Sequence, residues 1–430
     1  MSRQSALERF IEIHSKIRRR FPSIDHDLDG HERVYLNSGA GTLMVDSAVS
    51  ALAQAAQSVN PQPGDVDPPE IATDRLHWRV REIVADFINA RQPEEISFHF
   101  STTQAIQNLA YALRTRLTGA NHLVVTDLDH MANISPWEDR WGREKGCLVR
   151  RARVNEDGCL DVDYLLSLID ERTGLVALTM ASNGFGTVVP LGEIIPLIRT
   201  RSSRCLVCVD AVHHALHGPI DVQEMGCDFL AFSGYKIFGP MLGVLWGKGE
   251  LLDQLDPYRV ETNKNELPYK FEQGTLNNAA LAALEGALEY LIWLGEDLAL
   301  AVGEADLERK ATFRFVMATI AEYEGRLSQG VLRSFQKLDQ NRFRCYGITD
   351  PERFRERDPT FSFEIHGKSP QAIKRTLWED HGIQIADGNH YSAAIYRHLG
   401  RKSMCRASFA HYDTLETASS FVGALAALLS

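Results

Sequence analysis

The segments Val207-Cys208-Val209-Asp210 and Phe232-Ser233-Gly234-Tyr235-Lys236 each end a short apolar run on a residue that can do chemistry. When such runs are neighbouring parallel strands, their carboxyl ends open on one crevice, and the carboxylate and the amine meet there. Pyridoxal phosphate chemistry needs that pair. The cofactor's aldehyde condenses with a lysine amine, and its ring nitrogen stays protonated, and able to draw in electrons, beside an anion. An Asp and a Lys at strand ends are also common without any ligand, so the pair alone leaves both readings open.

Other candidates have plainer explanations. His213, His214 and His217 with Asp210 offer metal-binding side chains, but the first two are adjacent and no established ligand spacing matches, so no metal is expected. Cys205 and Cys208 have the spacing of a redox pair, yet they fall in a strand, where residues three apart face opposite ways. Thr102 and Thr103 precede a helical run at 104–113 and read either as a helix cap or as hydroxyls for a phosphate at a helix start.

The elements that must hold these residues are those of an α/β protein. Between about residues 95 and 250, β-rich runs at 96–98, 122–126, 175–179, 205–209, 229–232 and 242–246 alternate with helical ones. Several are apolar at every position, the pattern of strands covered on both faces, so a mainly parallel sheet with crossover helices is expected. A leading amphipathic helix over 5–19 runs into Arg18-Arg19-Arg20, where positive charge suits a helix C-terminus. The Pro-rich stretch 60–69 reads as an irregular loop before a helix at 73–89. Helices at 278–294 and 303–324 lead to a smaller α+β unit with a strand at 360–365 and a helix at 369–381. The expected division is an N-terminal arm over 1–30, a large domain over 31–270, and interdomain helices with a small C-terminal domain over 271–430.

At 430 residues and 48.2 kDa, with 44% hydrophobic and 24% charged residues, the chain has the composition of a globular protein of two-domain size. A net charge of −11 opposes binding to nucleic-acid phosphates. No run approaches the ~18 apolar residues of a membrane span. Seven scattered cysteines fit reduced thiols. A cytoplasmic protein with a small-molecule ligand, and with neither nucleic acid nor membrane as partner, is expected.

Taken in order, Tyr35-Leu36-Asn37-Ser38-Gly39-Ala40-Gly41, Ser101-Thr102-Thr103-Gln104-Ala105, Asp129-His130-Met131-Ala132-Asn133, Ala181-Ser182-Asn183, Val209-Asp210, Ser233-Gly234-Tyr235-Lys236, Phe271-Glu272-Gln273-Gly274-Thr275 and Cys405-Arg406-Ala407-Ser408 resemble class V aminotransferases of fold type I. The nearest branch is that of cysteine desulfurases and selenocysteine lyases. The resemblance implies a pyridoxal 5'-phosphate enzyme: a large domain with a mainly parallel seven-stranded sheet between helices, plus a smaller α+β C-terminal domain. By it, Lys236 anchors the cofactor and shuttles protons, Asp210 pairs with the ring nitrogen, and His213 donates to the phenolic oxygen. His130 stacks on the ring and assists proton transfer. Thr102, Thr103 and Ser233 serve the phosphate, and Asn183 belongs to the same cofactor set. Thr275 reaches the phosphate of a partner subunit, which implies a homodimer with shared active sites. Arg406 clamps the carboxylate of an amino-acid substrate, with Ala40, Asn389 and Tyr235 beside it.

The resemblance has a gap. Desulfurases carry a cysteine that takes up sulfur as a persulfide; at that place, in Asp387-Gly388-Asn389-His390-Tyr391-Ser392, this chain has Tyr391, and a phenol forms no persulfide. Tyr235 stands where His is common before the lysine, and Ala386 where a second arginine is common. With the altered Pro-rich loop, these differences imply a pocket for something larger than cysteine, with Tyr391 as a lining or catalytic residue. The expected reaction is β-elimination by a C–S lyase acting on a cysteine conjugate or sulfoxide, not persulfide-forming desulfuration. Transamination, epimerisation and bond-forming replacement pass through the same carbanion and stay open. A non-catalytic scaffold is the alternative of another class, and the joint retention of Lys236, Asp210, His130 and Arg406 argues against it.

Overall fold

The computed structural model describes residues 3–59 and 61–429; Met1, Ser2, Ser430 and Asn60, the first residue of the expected Pro-rich loop, lie outside the described residues. The central sheet contains β1 (Ile96–His99), β2 (His122–Thr126), β3 (Leu148–Ala152), β4 (Thr173–Thr179), β5 (Leu206–Asp210), β6 (Phe229–Ser233) and β7 (Gly243–Gly247). Their spatial order is β1-β7-β6-β5-β4-β2-β3, and β7 alone runs against the rest, pairing antiparallel with β1 and β6. Alternate residues feed two cores. Val124, Val176, Val207, Val209 and Phe232 pack on one face, and Leu123, Val125, Leu175, Cys208 and Ala231 on the other. A sheet buried on both faces accepts no polar alternation, which is why these strands read as continuous apolar runs. Cys205 and Cys208 fall in opposite cores and are free thiols.

Periodicity missed β3. It forms a sheet edge and carries Arg150 and Arg151, which pair with Asp170 at 2.9 Å and Glu138 at 2.6 Å. An edge strand has one flank free of the sheet and tolerates charge that an interior strand would not. A second difference lies at the Pro-rich stretch. The following helix spans Pro68–Phe87, not 73–89, because Asp67 accepts the Glu70 N–H at 3.1 Å and the two prolines fill first-turn positions that need no N–H. The leading helix is broken into Arg3–Glu12 and His14–Arg19. Its arginines are structural: Arg18 donates to Tyr412 O at 2.7 Å, and Arg20 pairs with Asp46 at 2.7 Å.

The helices Asn278–Ala301 and Arg309–Phe335 outrun their predicted ends and join the two domains. The small domain holds an antiparallel sheet of β8 (Phe343–Cys345), β9 (Thr360–Ile365), β10 (Ala386–Gly388) and β11 (Met404–Ser408) in the order β10-β11-β9-β8. Val34–Tyr35 pairs in parallel with Ile383–Gln384, and Leu36 enters the small-domain core, so the segment just after residue 31 packs on the small domain. Among the described residues no helix is long and apolar enough to cross a membrane.

Candidate active site

Asp210 ends β5 and Lys236 lies in the turn Gly234–Lys236 after β6, so both reach one cavity of about 640 Å³ at the carboxyl edge of the sheet. Both are buried. Burial pushes the Asp210 carboxyl up to about 6, against the Val212 N–H at 2.9 Å and the charge of Lys236. Burial, and then the charge of Arg406, brings the Lys236 amine down to about 7, with Asp210 pulling the other way. An amine tuned to neutrality is a nucleophile at physiological pH. Its Nζ donates to the Gly39 carbonyl.

The helix Thr102–Ala112 begins at the same edge. Its side-chain cap is Ser101, which accepts the Gln104 N–H at 3.2 Å, so the two threonines are not needed as caps. Thr102 Oγ1 donates to Phe232 O at 2.7 Å and lies 2.6 Å from Ser233 Oγ, while Thr103 is exposed at the cavity wall. β7 starts directly beneath. A Cβ on Gly243 would stand 2.3 Å from Ser101 C and 2.5 Å from Thr102 N, so only glycine lets the helix start come this close to the sheet. Hydroxyls and first-turn N–H groups at the positive end of a helix make an anion cradle. His213 faces the same cavity with both ring nitrogens buried and unpartnered. An anion cradle, a buried carboxylate, a neutral amine and an orphaned imidazole fit the phosphate, ring nitrogen, aldehyde and phenolic oxygen of pyridoxal phosphate.

The opposite wall comes from both domains. His130 Nδ1 accepts the Ala132 N–H at 3.0 Å, which leaves the proton of the neutral ring on Nε2. Burial, with Lys236 and Arg406 nearby, brings this ring down to about 4, so it stays neutral. Its turn is held by buried Asp129, which accepts from Asn133 Nδ2 at 2.7 Å. Arg406, in β11, is buried and donates to Asn183 O at 2.7 Å. A Cβ on Gly39 would lie 3.2 Å from Arg406 Cζ, so the glycine leaves room for the guanidinium.

Asn183 lines the cavity beside the other expected cofactor residues and also ties the wall together. Its Nδ2 donates to His390 O at 2.7 Å and its Oδ1 accepts from Ser392 Oγ at 2.5 Å, so its amide holds the loop that follows β10. The same loop accepts the Met131 N–H on Tyr391 O at 2.9 Å. Asn389 Oδ1 in turn accepts the Tyr391 N–H at 3.0 Å. The Tyr391 ring lies 5.4 Å from that of His130, and the residue, 71% exposed, lines the cavity. Ala40, Tyr235 and Asn389 line the cavity too, as do His390, Asp387 and Thr179, to which the sequence reading gave no role. His390 was signalled only by standing beside Tyr391.

Thr275 does not reach this cavity. It is exposed, accepts from Gln62 Nε2 at 2.7 Å, and lines a separate groove with residues of the Pro-rich loop. The described part of the loop lies beside Thr275, outside the residues that line this chain's own cavity. No cysteine is among the residues lining the cavity. Cys405, next to Arg406 in the strand, points the other way, into the small-domain core and toward Pro370 O at 3.4 Å.

Residues 34–421 match the model of the family described as Aminotransferase class-V. A cysteine desulfurase of Pectobacterium atrosepticum is 32% identical over 95% of this chain and 96% of its own length. The apo cysteine desulfurase of Thermococcus onnurineus NA1 shares the fold with a TM-score of 0.83 at 24% identity, over 96% of this chain and 98% of that one. The cysteine desulfurase CsdA of Escherichia coli, in its S-sulfonic acid form, gives a TM-score of 0.78 at 27% identity, over 97% and 99%. Matched along nearly its whole length, and with lysine, carboxylate and anion cradle gathered at one sheet edge, the chain belongs to the class V aminotransferase family and is a pyridoxal-phosphate-dependent enzyme.

Proposed function

We propose that this enzyme cleaves the carbon–sulfur bond of a cysteine conjugate or its sulfoxide by β-elimination, with water converting the remainder to pyruvate and ammonia and the sulfur leaving as a thiol or sulfenic acid. The observation that carries the reading is the cavity without a cysteine, in which Tyr391 stands on a loop tied to the large domain. Sulfur transfer to the enzyme needs a thiol at that wall, and elimination needs none.

Bound in the cavity, pyridoxal phosphate supplies an electron sink for the charge left on the substrate's α-carbon. Thr102, Thr103 and Ser233 with the helix start hold the phosphate end, His213 donates at the phenolic oxygen, and Asp210 keeps the ring nitrogen protonated. Lys236 would hold the aldehyde end of the cofactor, and its amine, brought toward neutrality by burial, would take the proton from the substrate's α-carbon on Nζ. Arg406 binds the substrate carboxylate through its guanidinium and fixes which bond of the α-carbon faces the lysine. His130 covers the ring as a neutral imidazole with its proton on Nε2. Ala40, Tyr235 and Asn389 bound the substrate, and Tyr391 walls the leaving side and donates its O–H to the departing sulfur or oxygen.

We also infer a homodimer with shared active sites. Phe100, Met241, Tyr258 and Val260 are each more than half exposed, and Phe100 shares a crevice with Thr275 and Leu242 next to the phosphate end. A second subunit would cover these side chains and bring Thr275 toward its neighbour's phosphate. Co-expressing Thr275→Ala with Lys236→Ala should restore activity that neither variant has in full.

The names of the relatives favour a second reading, cysteine desulfuration. A panel of cysteine S-conjugates, their sulfoxides, free cysteine and other amino acids, assayed for keto acid, ammonia, alanine and sulfide, separates the readings. Pyruvate and ammonia from conjugates support elimination; alanine and sulfide from cysteine overturn it in favour of desulfuration. A transaminated or racemised product assigns one of the other carbanion reactions, and a wild type that never takes up the cofactor would mark a scaffold.

A further inference from the structure

Behind His213, away from the cavity, lies a group of buried charges that the reaction above does not use. His217 Nδ1 lies 2.7 Å from Glu324 Oε2, with side-chain exposures of 0% and 2%. The His217 ring is 5.2 Å from that of His213. Asp358, buried just before β9, contacts His214 Nδ1 at 3.2 Å. One nitrogen of His213, one of His217 and one oxygen of Asp358 all lie within 4.8 Å of one another. Asp358 could not be seen from the histidine spacing, since it is distant in sequence. Both nitrogens of His213, Nε2 of His217 and Oε1 of Glu324 are buried with no partner. His213 faces the cofactor's place, which leaves Nε2 of His217 and Oε1 of Glu324 outside that reading, each forfeiting about 1–3 kcal/mol of hydration if unpaired.

We propose that Glu324 is a positioning residue for the cofactor: paired with His217, whose ring abuts that of His213, it sets the charge beside His213 and so keeps that imidazole neutral where it faces the cofactor's phenolic oxygen. The 2.7 Å contact places one proton between Glu324 and His217: burial pushes the Glu324 carboxyl up to about 7 against the charge of His217, while Glu324 and Asp358 raise the His217 ring although burial opposes it. A charged His217 beside His213 then disfavours a second proton on His213, as do Lys236 and Arg406 from the cavity side. His214, paired with Asp358, and His411, which feels the charge of His217, face the group from its flanks. Glu324 lies in Arg309–Phe335, the helix whose C-terminal part enters the small-domain core. The inference rests on the cofactor and not on the identity of the substrate.

The test is the pH dependence of the visible absorbance of the holoenzyme without substrate. Glu324→Gln removes the anion, deprotonates His217 near neutrality and withdraws its positive charge from the cofactor's surroundings. The midpoint of the absorbance change should then rise by about one pH unit, a tenfold change in proton affinity. Glu324→Asp, which keeps the charge, should recover at least half of that shift. A Glu324→Gln curve that superimposes on wild type overturns the proposal, as does a stoichiometric metal ion in the purified protein, which would make the cluster a metal site. If Glu324→Gln fails to fold or to hold cofactor, His217→Asn decides: it can still donate to Glu324 but cannot carry charge, and it must also move the midpoint upward.

Discussion

The floor of the active site and the loop that closes it are built in opposite ways. Asp210, Ser233, Lys236 and Thr102 stand at the ends of buried strands or at the start of a capped helix, where ordinary backbone geometry delivers them. The loop after β10 has left-handed backbone at Gly388, His390 and Tyr391, with φ of 127°, 50° and 56°. For His and Tyr such a conformation costs on the order of 1–3 kcal/mol each and persists only where neighbours over-determine it. Here the neighbours are Asn183 and Met131, both of the large domain. The floor thus carries the lysine, carboxylate and anion cradle, whereas the wall above it is a strained loop held from across the domain boundary. A free loop could deliver a group to the substrate and retreat; a loop tied in this way presents a fixed wall.

Substitutions can break that contrast at either end. Removing the floor has the largest consequence: Lys236→Ala should abolish the cofactor's visible absorbance and lower kcat by about 10⁴-fold or more, measured on protein incubated with excess cofactor. Asp210→Ala should retain cofactor but lose about 10²–10³-fold in kcat, because the ring nitrogen loses its anion. Arg406→Lys keeps the charge but not the two-pronged fork, and kcat/KM for every amino-acid substrate should fall about 30-fold, some 2 kcal/mol.

A smaller effect follows from the tuning of Lys236. Its amine is protonated below about pH 7 and free above it. Uptake of cofactor by the apoprotein, followed by absorbance, should therefore quicken about tenfold per pH unit as the pH rises toward 7 and level off beyond it. Asn183→Ala makes the mildest and most selective change. It should leave the cofactor spectrum intact, lower kcat/KM by about tenfold or less through the loss of two loop hydrogen bonds, and expose the 388–392 loop to proteolysis. A variant that instead lost its cofactor would return Asn183 to the floor and erase the distinction between the two regions.

Much of the floor was legible beforehand because the rules that build it are local. Apolar runs identified the strands, polar residues at their ends identified the crevice, and collinear matches supplied the roles. The features that escaped have identifiable causes. β3 was missed because an edge strand keeps its arginines, and the helix at Pro68 because a capped first turn tolerates proline where a loop was expected. The loop role of Asn183 and the meeting of His217 with Glu324 and Asp358 could not be read at all, since their partners lie in other domains or on other elements.

By itself, then, the sequence determined the α/β architecture, because strand periodicity depends on near neighbours, while the cofactor followed from the collinear resemblance to class V aminotransferases. Only the tertiary structure decided that Tyr391 stands on a loop hydrogen-bonded to the large domain, that the Pro-rich loop packs beside Thr275, and that burial pushes Asp210 up to about 6 and Lys236 down to about 7. Those properties depend on burial and on contacts between residues far apart in the chain, and such contacts exist only once both domains have folded against each other.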